Sequence, residues 1–259
     1  MTRSVLVDIG NSRMKWGRVV AEAIEETAVL DLDDRESWAA QAKAWELDRG
    51  TAWRMASVNP PALDRFRTWL GDEPADKLVL DSHRGIPLPL DVETPEAVGP
   101  DRLLACLAAK ALLPLTPSAG GAMREVSGKP FLVVQAGTAI VVNLVNAAGA
   151  FAGGAILPGL SLMAKALHEH TALLPEVSVR EAVESVPGRT TEAAIRTGIF
   201  WSAVGAILTL RAGFDEIDDL PIFLTGGDAE VLLPAIPEPV SLVPDLVLEG
   251  ILLAGGARP

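Results

Sequence analysis

Several short stretches carry residues whose types and spacing suit phosphate chemistry. Asp8-Ile9-Gly10-Asn11-Ser12 puts a carboxylate at the end of an apolar run and follows it with a glycine and two polar side chains. Glycine lets backbone N–H groups approach phosphate oxygens, and Asn11 and Ser12 add donors. Asp8 could hold a hydrated Mg²⁺, and Lys15 adds a cation nearby. Ala136-Gly137-Thr138-Ala139 repeats that backbone chemistry without the acid. Thr225-Gly226-Gly227-Asp228 ends a third apolar run and leads into a helical pattern, where a helix N-terminus favours negative charge. Gly99-Pro100-Asp101-Arg102 opens an apolar helical stretch. There Asp101 could act as a general base and Arg102 as an anion or hydroxyl clamp. An acid in that place suits phosphoryl transfer, because an acceptor hydroxyl must lose its proton as the phosphoryl group arrives.

Each stretch also has a plain structural reading. Asp-x-Gly and Gly-Asn are common turn chemistry, Gly-Gly suits any strand-to-helix turn, and an acid beside a base serves as a helix cap. The recurrence of one hairpin turn in a second copy favours ligand binding. Other candidates carry less. Gly153-Gly154-Ala155-Ile156-Leu157-Pro158-Gly159 is a glycine-rich bend that could line a pocket or an interface. His168 and His170 are two residues apart, do not share a helix face, and read as surface histidines. Cys106 sits inside an apolar helix and reads as packing. The tryptophans occupy packing positions and form no platform for nucleobases.

The elements that must position these residues come in two echoing halves. Residues 4–8 read as a buried strand, 10–12 as a turn and 14–20 as the return strand. The phrase recurs at 131–135, 136–139 and 140–145, with a third strand at about 150–156; Asp8 lies over Gln135. Helical patterns cover 35–48, 60–70, 100–113, 160–173, 191–213 and 245–254, with Pro100 at a helix start, where its missing N–H costs least. This predicts an α/β protein with a duplicated domain: one lobe at 1–115, a second at 131–259, and a Gly/Ser/Pro-rich linker or mobile loop at 116–130.

The 259 residues include 22 Lys+Arg and 34 Asp+Glu, for a formal net charge of −12. So acidic a chain is a poor binder of nucleic-acid phosphates and of anionic lipid. One cysteine excludes an intramolecular disulfide and a multi-cysteine metal site, and three histidines leave little for a histidine cage. The N-terminus shows no leader pattern, and no uninterrupted apolar run reaches membrane-spanning length. A soluble cytoplasmic protein, binding neither nucleic acid nor membrane, is the expectation.

Taken in order, Asp-x-Gly-Asn-Ser, Gly-x-Asp-Arg, Gly-Thr-Ala, Gly-Gly-x-Ile-x-Pro-Gly and Thr-Gly-Gly-Asp resemble type III pantothenate kinase. Ala56-Ser57-Val58-Asn59-Pro60, Thr171-Ala172-Leu173-Leu174-Pro175, Thr191-Glu192-Ala193-Ala194-Ile195-Arg196-Thr197-Gly198 and Asp245-Leu246-Val247-Leu248-Glu249-Gly250 extend the resemblance over about residues 4–253. It implies the acetate/sugar kinase–heat-shock cognate–actin superfamily fold, two duplicated ribonuclease-H-like lobes with an inter-lobe nucleotide cleft. It implies ATP-dependent phosphorylation of pantothenate to 4'-phosphopantothenate, the first step towards coenzyme A, by a homodimer. Carried onto this chain, Asp101 is the catalytic base, and Gly99, Pro100, Arg102 and Thr191 meet pantothenate, Thr191 from the partner subunit. ATP with Mg²⁺ is met by Asp8, Gly10, Asn11, Ser12, Lys15, Gly137, Thr138, Gly226 and Gly227, with Asp8 on Mg²⁺ through water. The resemblance also implies a monovalent cation, K⁺ or NH₄⁺, at position 135.

The chain departs from the family pattern at three places. Gln135 stands where an Asp tied to that cation is usual, Asn143 where Asp is frequent, and Val92 near a Tyr that contacts pantothenate in many members. Gln135 keeps only a neutral amide oxygen for a cation, which predicts a weaker K⁺ dependence. The lost acids leave open a catalytically impaired homologue that binds nucleotide or pantothenate and acts through a protein partner. Another phosphotransferase or hydrolase on the same lobes is the further alternative.

Overall fold

Val5, Val7 and Ile9 alternate with Leu6 and Asp8, so the segment Ser4–Ile9 (β1) offers one face to a core and the other to a different neighbour. The computed structural model describes residues 4–72, 76–113, 115–117, 123–125, 128–180, 186–214 and 220–256. Its contacts divide the chain into two units, Met1–Leu112 with Leu246–Pro259, and Leu113–Asp245.

In the first unit β1 pairs antiparallel with Met14–Val20 (β2), which pairs with Ala23–Leu30 (β3). On its other side β1 runs parallel to Ala52–Ser57 (β4), and β4 to Lys77–Leu80 (β5). Helix Arg35–Ala44 (α1) is capped by Asp34, whose carboxylate accepts from the N–H groups of Glu36 and Ser37, both at 3.1 Å. Helices Pro60–Leu70 (α2) and Pro100–Leu112 (α3) follow the sequence pattern closely. The core face of β1 meets Trp16, Trp38, Trp45, Trp53 and Phe66. Trp16 and Trp53 meet edge to face at 5.3 Å, an arrangement that the ring quadrupoles favour. These tryptophans pack, as the sequence predicts. β3 escapes the sequence reading because its polar, largely exposed edge carries no clean apolar alternation.

In the second unit Leu115–Pro117 (β6) and Met123–Glu125 (β7) form a short antiparallel pair. They lie in or beside the stretch expected as a linker; residues 118–122 and 126–127 of that stretch fall outside the described residues. Phe131–Ala136 (β8), Ala139–Val145 (β9) and Phe151–Pro158 (β10) form a meander. Ile222–Thr225 (β11) runs parallel to β8, and Val240–Leu242 (β12) parallel to β11. The orders β3-β2-β1-β4-β5 and β10-β9-β8-β11-β12 are one plan used twice. This is the duplicated ribonuclease-H-like α/β architecture.

Helices Leu160–Glu169 (α4), Thr191–Phe214 (α5) and Ala229–Leu232 (α6) complete this unit. α4 stops at Glu169, short of the expected 173. By length and composition α5 is apolar enough to cross a membrane. Its Ile195, Ile199, Ala203, Val204 and Ile207 are buried in the core built on Leu132, Val134 and Val142. Buried Arg211 on the same helix donates to the carbonyls of Pro237, at 2.9 Å, and Glu238, at 3.4 Å.

The closing helix, Leu246–Ala254 (α7), corrects the expected division. The sequence assigns it to the lobe at 131–259, yet it packs on α3, β1 and β4 of the first unit. Gly250 makes this possible, since a Cβ there would overlap the backbone of Leu104 in α3. α7 also covers the β1–β2 face bearing Gly17, where an added Cβ would lie 3.1 Å from Leu248.

Candidate active site

In the first unit the register sets Asp8 opposite Lys15, beside the turn that joins β1 and β2. The turn between them is closed by the Gly10 N–H on the Arg13 carbonyl at 3.0 Å. Asn59, which caps α2 by accepting from Ala62 N–H at 3.1 Å, also donates its Nδ2 to the Gly10 carbonyl at 3.4 Å. Val58 N–H reaches the Ile9 carbonyl at 3.2 Å. The turn is thus braced from β4, while Asn11 and Ser12 remain exposed.

Asp101 lies in the first turn of α3, where the helix dipole favours a negative charge. Its carboxylate folds back over Gly99: a Cβ on Gly99 would come 2.6 Å from Oδ1. Buried Pro100 fixes the helix start. Burial raises the Asp101 carboxyl above its ordinary value, against the pull of the Arg102 N–H and guanidinium. Asp8 keeps part of its surface open, but its carboxyl is desolvated and pushed from 3.8 to about 7. The cause is chiefly burial, then the charge of Asp101, partly offset by Lys15. The fold therefore brings together two acids that the sequence lists far apart.

Among the described residues no group of three or more His, Cys, Asp and Glu side chains could enclose a metal ion. The Asp8 carboxyl suits a hydrated Mg²⁺ that takes its other ligands from phosphate and water, and a cation there relieves its repulsion with Asp101. Cys106, one turn further along α3, is buried, and burial raises its thiol, in keeping with packing.

In the second unit two turns converge on Ala136–Thr138. Gly226, at φ +103°, lies against the Ala136 backbone, with no room for a Cβ. Asp228 N–H donates to the Ala136 carbonyl at 3.1 Å, and Gly159 N–H to the Thr138 carbonyl at 3.0 Å. A Cβ on Gly159 would overlap the Gly137 carbonyl, whereas the space over Gly137 is open. Gly137, Thr138, Gly226 and Gly227 are thus joined into one glycine-lined surface, with Thr138, Gly226 and Gly227 exposed.

Asp228 was not singled out as a site residue, although an acid directly after Gly-Gly was the available signal. It is buried, and its Oδ1 lies 3.8 Å from Arg180 Nε. Burial raises its carboxyl against the pull of Arg180. Gln135 is the next-to-last residue of β8, and its Oε1 accepts from Asn143 Nδ2 at 3.0 Å. Thr191 is exposed at the first position of α5, one residue past Thr190, whose Oγ1 accepts from Ala193 N–H at 3.2 Å. His168 and His170 are both exposed, and the His168 ring bonds the Leu174 carbonyl at 2.9 Å.

A family model for type III pantothenate kinase matches residues 4–212. The type III pantothenate kinase of Gluconobacter oxydans is 32% identical, the match covering 91% of each chain. That of Nitrosococcus oceani is 31% identical over 95% of this chain and 91% of its own. The chain belongs to the type III pantothenate kinase family. Within it, the Asp8 turn, the Gly99–Arg102 start of α3 and the Gly137 turn all fall inside the matched residues; Gly226 and Gly227 lie beyond them. Solved structures agree on the fold. A Campylobacter jejuni protein described as a Baf family transcriptional activator superposes with a TM-score of 0.63 at 18% identity, over 96% of both chains. Component A of Acidaminococcus fermentans (R)-2-hydroxyglutaryl-CoA dehydratase gives 0.55 at 13% identity, covering 98% of this chain and 96% of its own.

Proposed function

We infer that this chain is a pantothenate kinase, transferring the γ-phosphoryl group of ATP to the primary hydroxyl of pantothenate in the first step of coenzyme A synthesis. Family membership supports the reaction, and the half-buried, desolvated carboxyls of Asp8 and Asp101, close enough for one charge to act on the other, are the observation that carries it to particular residues. Asp101 is the base. Its raised carboxyl accepts the hydroxyl proton as the oxygen bonds to phosphorus and ADP departs. Gly99 and Pro100 hold that carboxylate in place, and Arg102 and Thr191 bind pantothenate. Asp8 orients hydrated Mg²⁺, which neutralises charge on the phosphates when bound. Gly10, Asn11, Ser12 and Lys15 contact the phosphates, as do Gly137, Thr138, Gly226 and Gly227 on their own surface. Positioning and electrostatics supply most of the rate. A cytoplasmic homodimer, with Thr191 serving the partner's substrate, belongs to the same reading.

The test is ADP release measured with and without pantothenate. Release that requires pantothenate, with 4'-phosphopantothenate as product, is expected. Ligand binding with no turnover would instead favour a non-catalytic homologue.

A further inference from the structure

The amide pair on β8 and β9 has no part in the chemistry above. Gln135 pairs across the ladder with Val141, and Val133 with Asn143, so Gln135 and Asn143 are diagonal neighbours on one sheet face. Asn143 is fully buried, and its Nδ2 donates to Gln135 Oε1 at 3.0 Å.

This donor set does not fit the monovalent cation that the family resemblance implies at position 135. Such an ion binds through several oxygens, the best of them anionic. Gln135 offers a neutral oxygen that already receives an N–H, and the Asn143 NH₂ points positive hydrogens at it. An Asp with its cation and a Gln with an amide donor carry the same net charge. The exchange therefore leaves the net charge of the site unchanged without an ion.

We propose that the Asn143 side-chain amide takes the place of the monovalent cation at Gln135, so that nucleotide binding and turnover in this chain are independent of K⁺ and NH₄⁺. The statement about turnover rests on the kinase reading; the statement about the cation does not. The test compares Mg–ATP affinity, melting temperature and pantothenate-dependent ADP release in potassium, ammonium and tetramethylammonium chloride at equal ionic strength. Affinity and rate should agree across the salts within about twofold, whereas ligands at coupled sites typically change each other's affinity by about 5–150-fold. Gln135→Asp should gain a potassium response in that range, since one carboxylate oxygen keeps Asn143 while the other faces the ion.

A wild-type protein whose ATP affinity rises tenfold or more in potassium, or whose melting temperature rises in potassium alone, overturns the proposal. So does a folded Gln135→Asp that stays as indifferent as the wild type. Should that variant not fold, the wild-type comparison decides alone. Absence of ADP release in every salt sinks the kinase reading, and the affinity and melting comparisons still decide the cation.

Discussion

The first strands of the two sheets share a plan and end in opposite chemistry. The next-to-last residue of β1 is Asp8, a carboxyl pushed up to about 7 beside a second acid. The next-to-last residue of β8 is Gln135, a neutral amide bonded to another amide. Their supports differ too. The Asp8 turn is braced by the side chain of Asn59, and the Gly137 turn by backbone contacts with Gly226, Asp228 and Gly159. Duplication kept the scaffold of strands while charge was assigned to one copy. Phosphoryl transfer explains such a split: the metal and the leaving proton need acids, whereas the phosphates need donors and open backbone.

The largest effect should come from removing the acid that has only one copy. Asp101→Asn keeps size and loses basicity, so kcat should fall by about 10²–10⁴-fold with nucleotide affinity nearly unchanged. Steady-state kinetics with an ATP-binding isotherm checks this, and near-normal turnover would remove Asp101 from the chemistry. Asp8→Gln makes the first strand end like the second. It should raise the Mg²⁺ concentration needed for half-activation by about 10–100-fold, the usual loss of affinity when a group orienting a metal is removed. A titration of rate against Mg²⁺ reads it, and an unchanged curve would make Asp8 a turn residue only.

Gly226→Ala tests the backbone brace. With a positive φ and the Ala136 backbone in the way, it should lower stability by about 1–3 kcal/mol in a denaturant titration. An equally stable variant would show that this contact relaxes freely.

A further test is in pH. Below 3.8 the Asp8 carboxyl is protonated in both folded and unfolded chains; between there and about 7 the folded chain alone keeps the proton. Stability therefore declines as pH rises through that window, and the cost is complete above about 7. Without Mg²⁺, wild type should lose melting temperature relative to Asp8→Gln as pH rises from 3.8 to about 7. Parallel melting curves would show that Asp8 is not desolvated.

The hairpin starts, α2, α3 and α5 were legible because apolar periodicity and proline or glycine punctuation are local. The glycine turns were legible for the same reason, and so was the charge difference between Asp8 and Gln135. β3 was hidden because an exposed edge strand need not alternate. Asp228 was visible as the acid after Gly-Gly, but its burial and its approach to Arg180 were not, because no local pattern reports them.

The sequence by itself determined the duplicated strand–turn–strand units, the acidic balance and which side chains could carry a proton or meet phosphate. Only the tertiary structure decided that Asp101 acts on Asp8 and that Asn143 reaches Gln135. It alone decided that α7 leaves the second lobe for the first. Electrostatic repulsion, a hydrogen bond and a backbone contact at Gly250 all depend on distance in space, and separation along the chain says nothing of that.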